Sequence, residues 1–144
     1  MGRVKIELPE NFRFSCEIPV RITDINYGGH TGNDTLLSLI HEIRMQFLCH
    51  FGYTEMDMAG AGLIMADAAI EFRKELFYGE SLTAFVSAGD FSKIGFDLYY
   101  KLEKKTETGT AIVALAKTGM ICYDYSRKKI IAVPEEARQK LESA

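Results

Sequence analysis

The sequence predicts an α+β fold in which one curved antiparallel sheet wraps around one long helix. Apolar residues recur at helical spacing through a single long segment that follows residue 34. Later segments alternate apolar and polar residues at period two, as half-buried antiparallel strands do. Short polar stretches such as TETG (106–109) and SRKK (126–129) join them as turns. The helix's stripe and the sheet's apolar face then bury each other, which fixes the layering.

The elements follow in chain order. Residues 12–22, FRFSCEIPVRI, are rich in β-formers and partly alternate, predicting a strand edged or interrupted by Pro19. Residues 23–34, TDINYGGHTGND, crowd glycine, asparagine, aspartate and histidine between two hydrophobic stretches. Leu36, Leu39, Ile40, Ile43 and Phe47 then fall on one helical stripe. Asn33 or Asp34 is the expected N-cap, and Gly52 marks the far end. Residues 53–62 read as a turn-rich connection. In LIMADAAIEF (63–72), alternation places Ile64, Ala66, Ala68, Ile70 and Phe72 on one side. Leu82, Ala84, Val86 and Ala88 align in 81–90, and Ile94, Phe96, Leu98, Tyr100 and Leu102 align in the next strand. A long return strand, TAIVALAKTGMICYDY, and a short IIAV segment follow. Pro134, with Glu135 and Glu136 behind it, opens a short C-terminal helix. With no repeat, low-complexity run or linker, residues 1–144 are expected to form one domain.

Composition narrows the function. At 47% hydrophobic and 26% charged residues, the chain has the makeup of a folded globular protein. A net charge of −3 with interspersed signs gives no basic stripe for nucleic acid. The apolar runs fall far short of a membrane span, and MGRVKIELPENF lacks the core of a secretory signal, so a cytoplasmic location is expected. Cys16, Cys49 and Cys122 are scattered and odd in number, which supports neither a disulfide framework nor a metal site. They read as small buried hydrophobes. No cofactor is implied.

The order of elements, with a polar glycine-rich loop before the helix, resembles the hotdog fold, and the loop resembles the active-site segment of the 4-hydroxybenzoyl-CoA thioesterase-like acyl-CoA thioesterases. The matching stretch is Asp24-Ile25-Asn26-Tyr27-Gly28-Gly29-His30, then Asn33-Asp34 and LLSLIHEIRMQFL. GLIMADAAIEFRKELFYGESL resembles the family's second strand, and the likeness in element order spans residues 14–125. The resemblance implies a thioesterase on acyl-CoA or acyl-carrier thioesters, working as a homodimer or homotetramer. Unpaired edge strands and apolar surface that one helix leaves uncovered point to the same assembly. One position departs from the family. Its strand ends in D-x-D with the second acid as catalytic carboxylate, and this chain has Asn26 there. An amide is no base at ordinary pH, so the base must come from elsewhere.

Asp24, Asn26 and His30 are therefore the expected catalytic group, with water activated by Asp24 or by His30 oriented through it. Gly28, Gly29 and Gly32 allow the backbone to approach substrate, and by the resemblance the amide near Asn33 receives the oxyanion. The unpaired amides and macrodipole of the helix start supply the positive field this needs. Asp67 and Glu42 are lower-ranked candidates for the missing carboxylate. Arg73, Lys74, Lys93, Arg127, Lys128 and Lys129 are candidate partners for substrate phosphates. Tyr27, Phe91 and Phe96 suit an acyl chain, although core packing is the stronger expectation for Phe96. Two other readings remain: a non-catalytic acyl-CoA-binding module, favoured by Asn26, and hydratase or dehydratase chemistry on acyl thioesters.

Overall fold

The structure, a computed structural model, describes residues 2–142. Strand β1 (Phe14–Pro19) leads through a 3-10 turn at Ile22–Asp24 into helix α1 (Asn33–His50). Strands β2 (Gly62–Phe72), β3 (Ser81–Gly89), β4 (Gly95–Thr106) and β5 (Gly109–Asp124) follow. The short β6 (Lys129–Ile130) and helix α2 (Glu135–Glu142) come last. The sheet order is β1-β3-β4-β5-β2 with β6 added to β5, and every pairing is antiparallel. This is the hotdog arrangement: a curved sheet holding one long helix.

Helix α1 forms where its stripe predicts. Leu36, Leu39, Ile40, Ile43, Phe47 and Leu48 are all buried, and they meet Leu82, Ala84, Val86, Leu98, Tyr100, Leu102, Ala114 and Ala116 from the sheet. The cap differs from expectation. Gly32 is the N-cap, with no side-chain hydrogen bond, and Asn33 and Asp34 lie inside the first turn. The first-turn amides are thus left without a side-chain cap, and the unpaired donors of the helix start stay available.

Pro19 sits at the end of edge strand β1, opposite Ser81, where its lack of an N–H costs no central ladder bond. In β2 the strict alternation breaks. A bulge between Met65 and Asp67 shifts the register, so Leu63 and Met65 oppose Cys122 and Met120 while Ala68 opposes Thr118 and Ile70 opposes Ala116. Ala68, Ile70 and Phe72 keep the expected face, but Ile64 and Ala66 do not share it. A second irregularity after Leu102 leaves Val113 out of the β4–β5 register. Its carbonyl accepts the amides of Arg73 and Lys74 at 2.9 and 3.1 Å, which fixes the chain just beyond β2.

Of the cysteines, Cys122 is buried, Cys16 half-buried and Cys49 exposed at the end of α1, so only part of the expectation of buried hydrophobes holds. Burial pushes the Cys16 and Cys122 thiols up to about 11, well away from thiolate chemistry. No helix of the described residues is long and apolar enough to cross a membrane.

Candidate active site

The loop before α1 folds as a small closed unit. Asn26 donates its backbone N–H to the His30 carbonyl at 3.0 Å, and Gly29 donates to the Asn26 carbonyl at 3.1 Å. The Asn26 side-chain oxygen accepts the Gly28 amide at 2.9 Å, an Asx turn that suits asparagine. Gly29 takes φ +80, the left-handed region where glycine is favoured. A β-carbon on Gly28 would lie 3.0 Å from His30 Nε2, so glycine there makes room for the imidazole. Backbone bridges then tie the loop to the chain beyond β2: His30 pairs with Phe77, and the Thr31 amide donates to the Leu76 carbonyl at 2.7 Å.

Those ties assemble a groove of about 270 Å³ at the amino-terminal tip of α1. His30, Thr31, Gly32, Asn33 and Leu36 line one side, and Phe72, Arg73, Lys74, Glu75, Leu76 and Val113 line the other. The groove's apolar lining includes Leu36, Leu76 and Val113, all nearly fully buried. His30 is half-buried, and its Nδ1 lies 3.2 Å from the Thr31 carbonyl. A carbonyl can only accept, so Nδ1 meets it as a donor when that nitrogen carries the ring proton, which leaves Nε2 as the acceptor of that tautomer. That nitrogen lies 3.7 Å from Glu75 Oε1. The Thr31 hydroxyl is buried and finds no hydrogen-bond partner among the described residues.

The expected site residues divide around this groove. His30, Gly32 and Asn33 line it; Gly29 shapes the loop behind it. Asp24 does not reach it. Its carboxylate is buried and turned to Arg21, accepting the Arg21 amide at 2.8 Å and the guanidinium at 3.4 Å, so it closes the 3-10 turn rather than facing His30. Asn26 likewise spends its side-chain oxygen on the loop. Asp67 follows the β2 bulge, five residues before Phe72, and does not line the groove; it accepts Lys117 Nζ at 2.9 Å and the Gly119 amide at 3.0 Å. The Lys117 hydrogen bond holds its carboxyl below the usual range. Glu42 is exposed on α1 and accepts Gln46 at 3.0 Å. Phe91 and Phe96 stack on each other with centroids 5.0 Å apart, Phe96 within the core, and neither lines the groove. Tyr27 is fully exposed.

The sequence reading missed Glu75, Thr31 and Leu76. Glu75 lies in KELFYG, a short connection with no periodic signal, and the His30–Phe77 bridge and the Thr31–Leu76 hydrogen bond bring it to the loop. No group of histidine, cysteine and acidic side chains suited to a metal ion occurs among the described residues.

The model of the thioesterase-like superfamily matches residues 20–141, and the chain belongs to that superfamily. No curated protein matches the sequence. Solved structures share the fold at low identity. A thioesterase superfamily protein from Jannaschia sp. CCS1 superposes with a TM-score of 0.80 at 15% identity, covering 92% of this chain and 83% of that one. A 4-hydroxybenzoyl CoA thioesterase, in an Asp-to-Asn mutant complexed with 4-hydroxybenzoyl CoA, gives 0.80 at 15% identity over 89% and 97%. A 1,4-dihydroxy-2-naphthoyl-CoA thioesterase from Synechocystis gives 0.78 at 20% identity over 90% and 95%.

Proposed function

We propose that the chain hydrolyses acyl-CoA thioesters, with His30 rather than an aspartate as the base. The observation that carries this reading is the meeting of three things at one groove: an imidazole, a carboxylate beside it, and the uncapped start of α1. In the proposed step, His30 Nε2 takes a proton from water as the oxygen attacks the thioester carbon. The Glu75 carboxylate and the Thr31 carbonyl flank the resulting imidazolium and stabilise it. The carbonyl oxygen becomes an oxyanion facing the first amides of α1, with the unpartnered Thr31 hydroxyl as a further donor. Collapse breaks the carbon–sulfur bond, and the imidazolium returns its proton to the leaving thiolate. The products are a carboxylic acid and a free thiol.

Asp24 and Asn26 serve as positioning residues in this scheme, holding the turn and the loop that present His30. The apolar lining of Leu36, Leu76 and Val113, in a groove of about 270 Å³, favours a compact acyl group over a long chain. β2 is an edge strand with Met65, Ala66, Asp67 and Ala68 exposed, and a second copy pairing along it is the proposed homodimer, within the cytoplasm.

Thiol release across a panel of acyl-CoAs, run beside the His30→Ala variant, tests the reading. Release by the native chain and its loss in the variant support it; equal release from both rejects His30 as base. The non-catalytic module, favoured by Asn26, predicts binding with no release, and release after Asn26→Asp alone would mark a lapsed enzyme.

A further inference from the structure

A second, larger cavity opens beside the tip groove. It measures about 610 Å³ and is lined by Arg3, Val4, Lys5, Glu71, Phe72, Arg73, Lys74, Ala111 and Ile112. Phe72, Arg73 and Lys74 line both spaces, so the two lie side by side along this short segment. The outer wall is the extended segment before β1. Its Ile6 amide donates to Glu71 Oε1 at 3.2 Å, and Phe12 meets Phe85 edge-on at 6.2 Å, which lays the segment across the sheet. The inner wall is rigid, because the Val113 carbonyl pins the Arg73 and Lys74 amides.

The charge of this vestibule is its distinctive property. Four cations, Arg3, Lys5, Arg73 and Lys74, line it against the single carboxylate of Glu71, within a chain of net charge −3. Glu71 is itself engaged, accepting Arg73 Nε at 2.5 Å while it holds the Ile6 amide. It works as a strut between the walls, and its single charge leaves a surplus of positive charge on the lining. The cavity lined by Lys104 and Lys105 differs, since Glu17 and Glu80 also line it and balance the charge.

Resting on the thioesterase reading, we propose that this vestibule binds the phosphates at the nucleotide end of CoA. The pantetheine arm then runs over Phe72 into the tip groove. Arginine and lysine suit that cargo, since guanidinium grips phosphate through paired donors and lysine adds a point charge. A pantetheine thioester lacking the nucleotide leaves the vestibule empty, so the segment before β1 selects free CoA thioesters over carrier-bound ones.

Calorimetric titration of the whole chain with CoA, with pantetheine and with adenosine 3′,5′-diphosphate tests this separately from turnover. The native protein should bind CoA about tenfold more tightly than pantetheine, the gap narrowing as salt screens it. The Arg3→Ala/Lys5→Ala variant should lose most of that advantage, and its weak binding of the diphosphate with it. Lys128→Ala/Lys129→Ala, on the distant turn into β6, should keep both. Equal affinities for CoA and pantetheine in the native protein overturn the proposal. So does an advantage that survives in the first variant or falls equally in the second. Thiol release is scored independently: a CoA preference that follows the prediction without any release sinks the catalytic reading and leaves the phosphate site standing.

Discussion

His30 and His41 each sit beside a glutamate, at 3.7 Å from Glu75 and 2.6 Å from Glu55. By residue type the two pairs are the same, and by distance the second is the better ion pair. Their surroundings separate them. His41 projects from the exposed flank of α1, and its glutamate also faces the buried Arg44 guanidinium at 3.6 Å. No uncapped helix start lies there, and neither residue lines one of the described cavities. His30 lines a groove, has its Nδ1 beside the Thr31 carbonyl, and lies close to the uncapped start of α1. A titratable pair becomes a candidate catalyst through what adjoins it; otherwise it holds the fold together.

The comparison breaks most easily in rate. His30→Ala should lower kcat roughly 10²- to 10⁴-fold, the usual worth of a general base, whereas His41→Ala should stay within about twofold. Thiol release under saturating substrate reads both.

The reverse contrast should appear in stability. Glu55→Gln leaves the Arg44 charge buried without its carboxylate and should cost about 2–3 kcal/mol in urea unfolding. Glu75 is mostly exposed, and Glu75→Gln should cost less than about 0.5 kcal/mol. Equal losses would erase the distinction between the two pairs.

Glu75→Gln should nonetheless lower kcat about three- to tenfold, because it removes the charge beside the imidazolium. KM should stay nearly unchanged, which separates a role in the reacting state from one in binding.

The smallest effect concerns the structural side. Tyr53, near Glu55 in sequence, donates its hydroxyl to Glu136 at 2.8 Å and so ties α2 down. Burial first, then the Glu136 hydrogen bond and its negative charge, push the phenol up to about 12. The unfolded chain loses this proton near 10, its ordinary value, while the folded chain keeps it. Its stabilising contribution is therefore full below pH 10 and disappears as pH climbs towards 12. Tyr53→Phe should flatten that alkaline fall in melting temperature, with no effect on the pH dependence of turnover near neutrality.

How much of this the sequence disclosed follows from the range of the interactions. The buried stripe of α1 and the alternation of β3 and β4 are local periodicities, and they read directly. The bulge in β2 is a one-residue change of phase, invisible where alanines occupy both faces of MADAA. The glycine-rich loop announced itself by composition, and His30 came with it. Asp24 misled because an acid at a strand end and an acid at a site look alike until its partner, Arg21, is seen. Glu75 lies 45 positions after His30, and backbone ties to Leu76 and Phe77 bring it near. The segment before β1 offered no periodicity at all; its place on the sheet depends on Glu71 and Phe85, both distant in sequence.

The most direct test of the central claim is a crystal structure with a non-hydrolysable ketone analogue of an acyl-CoA. The account predicts the ketone oxygen within hydrogen-bond reach, about 3 Å, of the first amides of α1, with His30 Nε2 facing the carbonyl carbon across one water. A carbonyl bound elsewhere, with the tip groove empty and His30 turned to solvent, would contradict it.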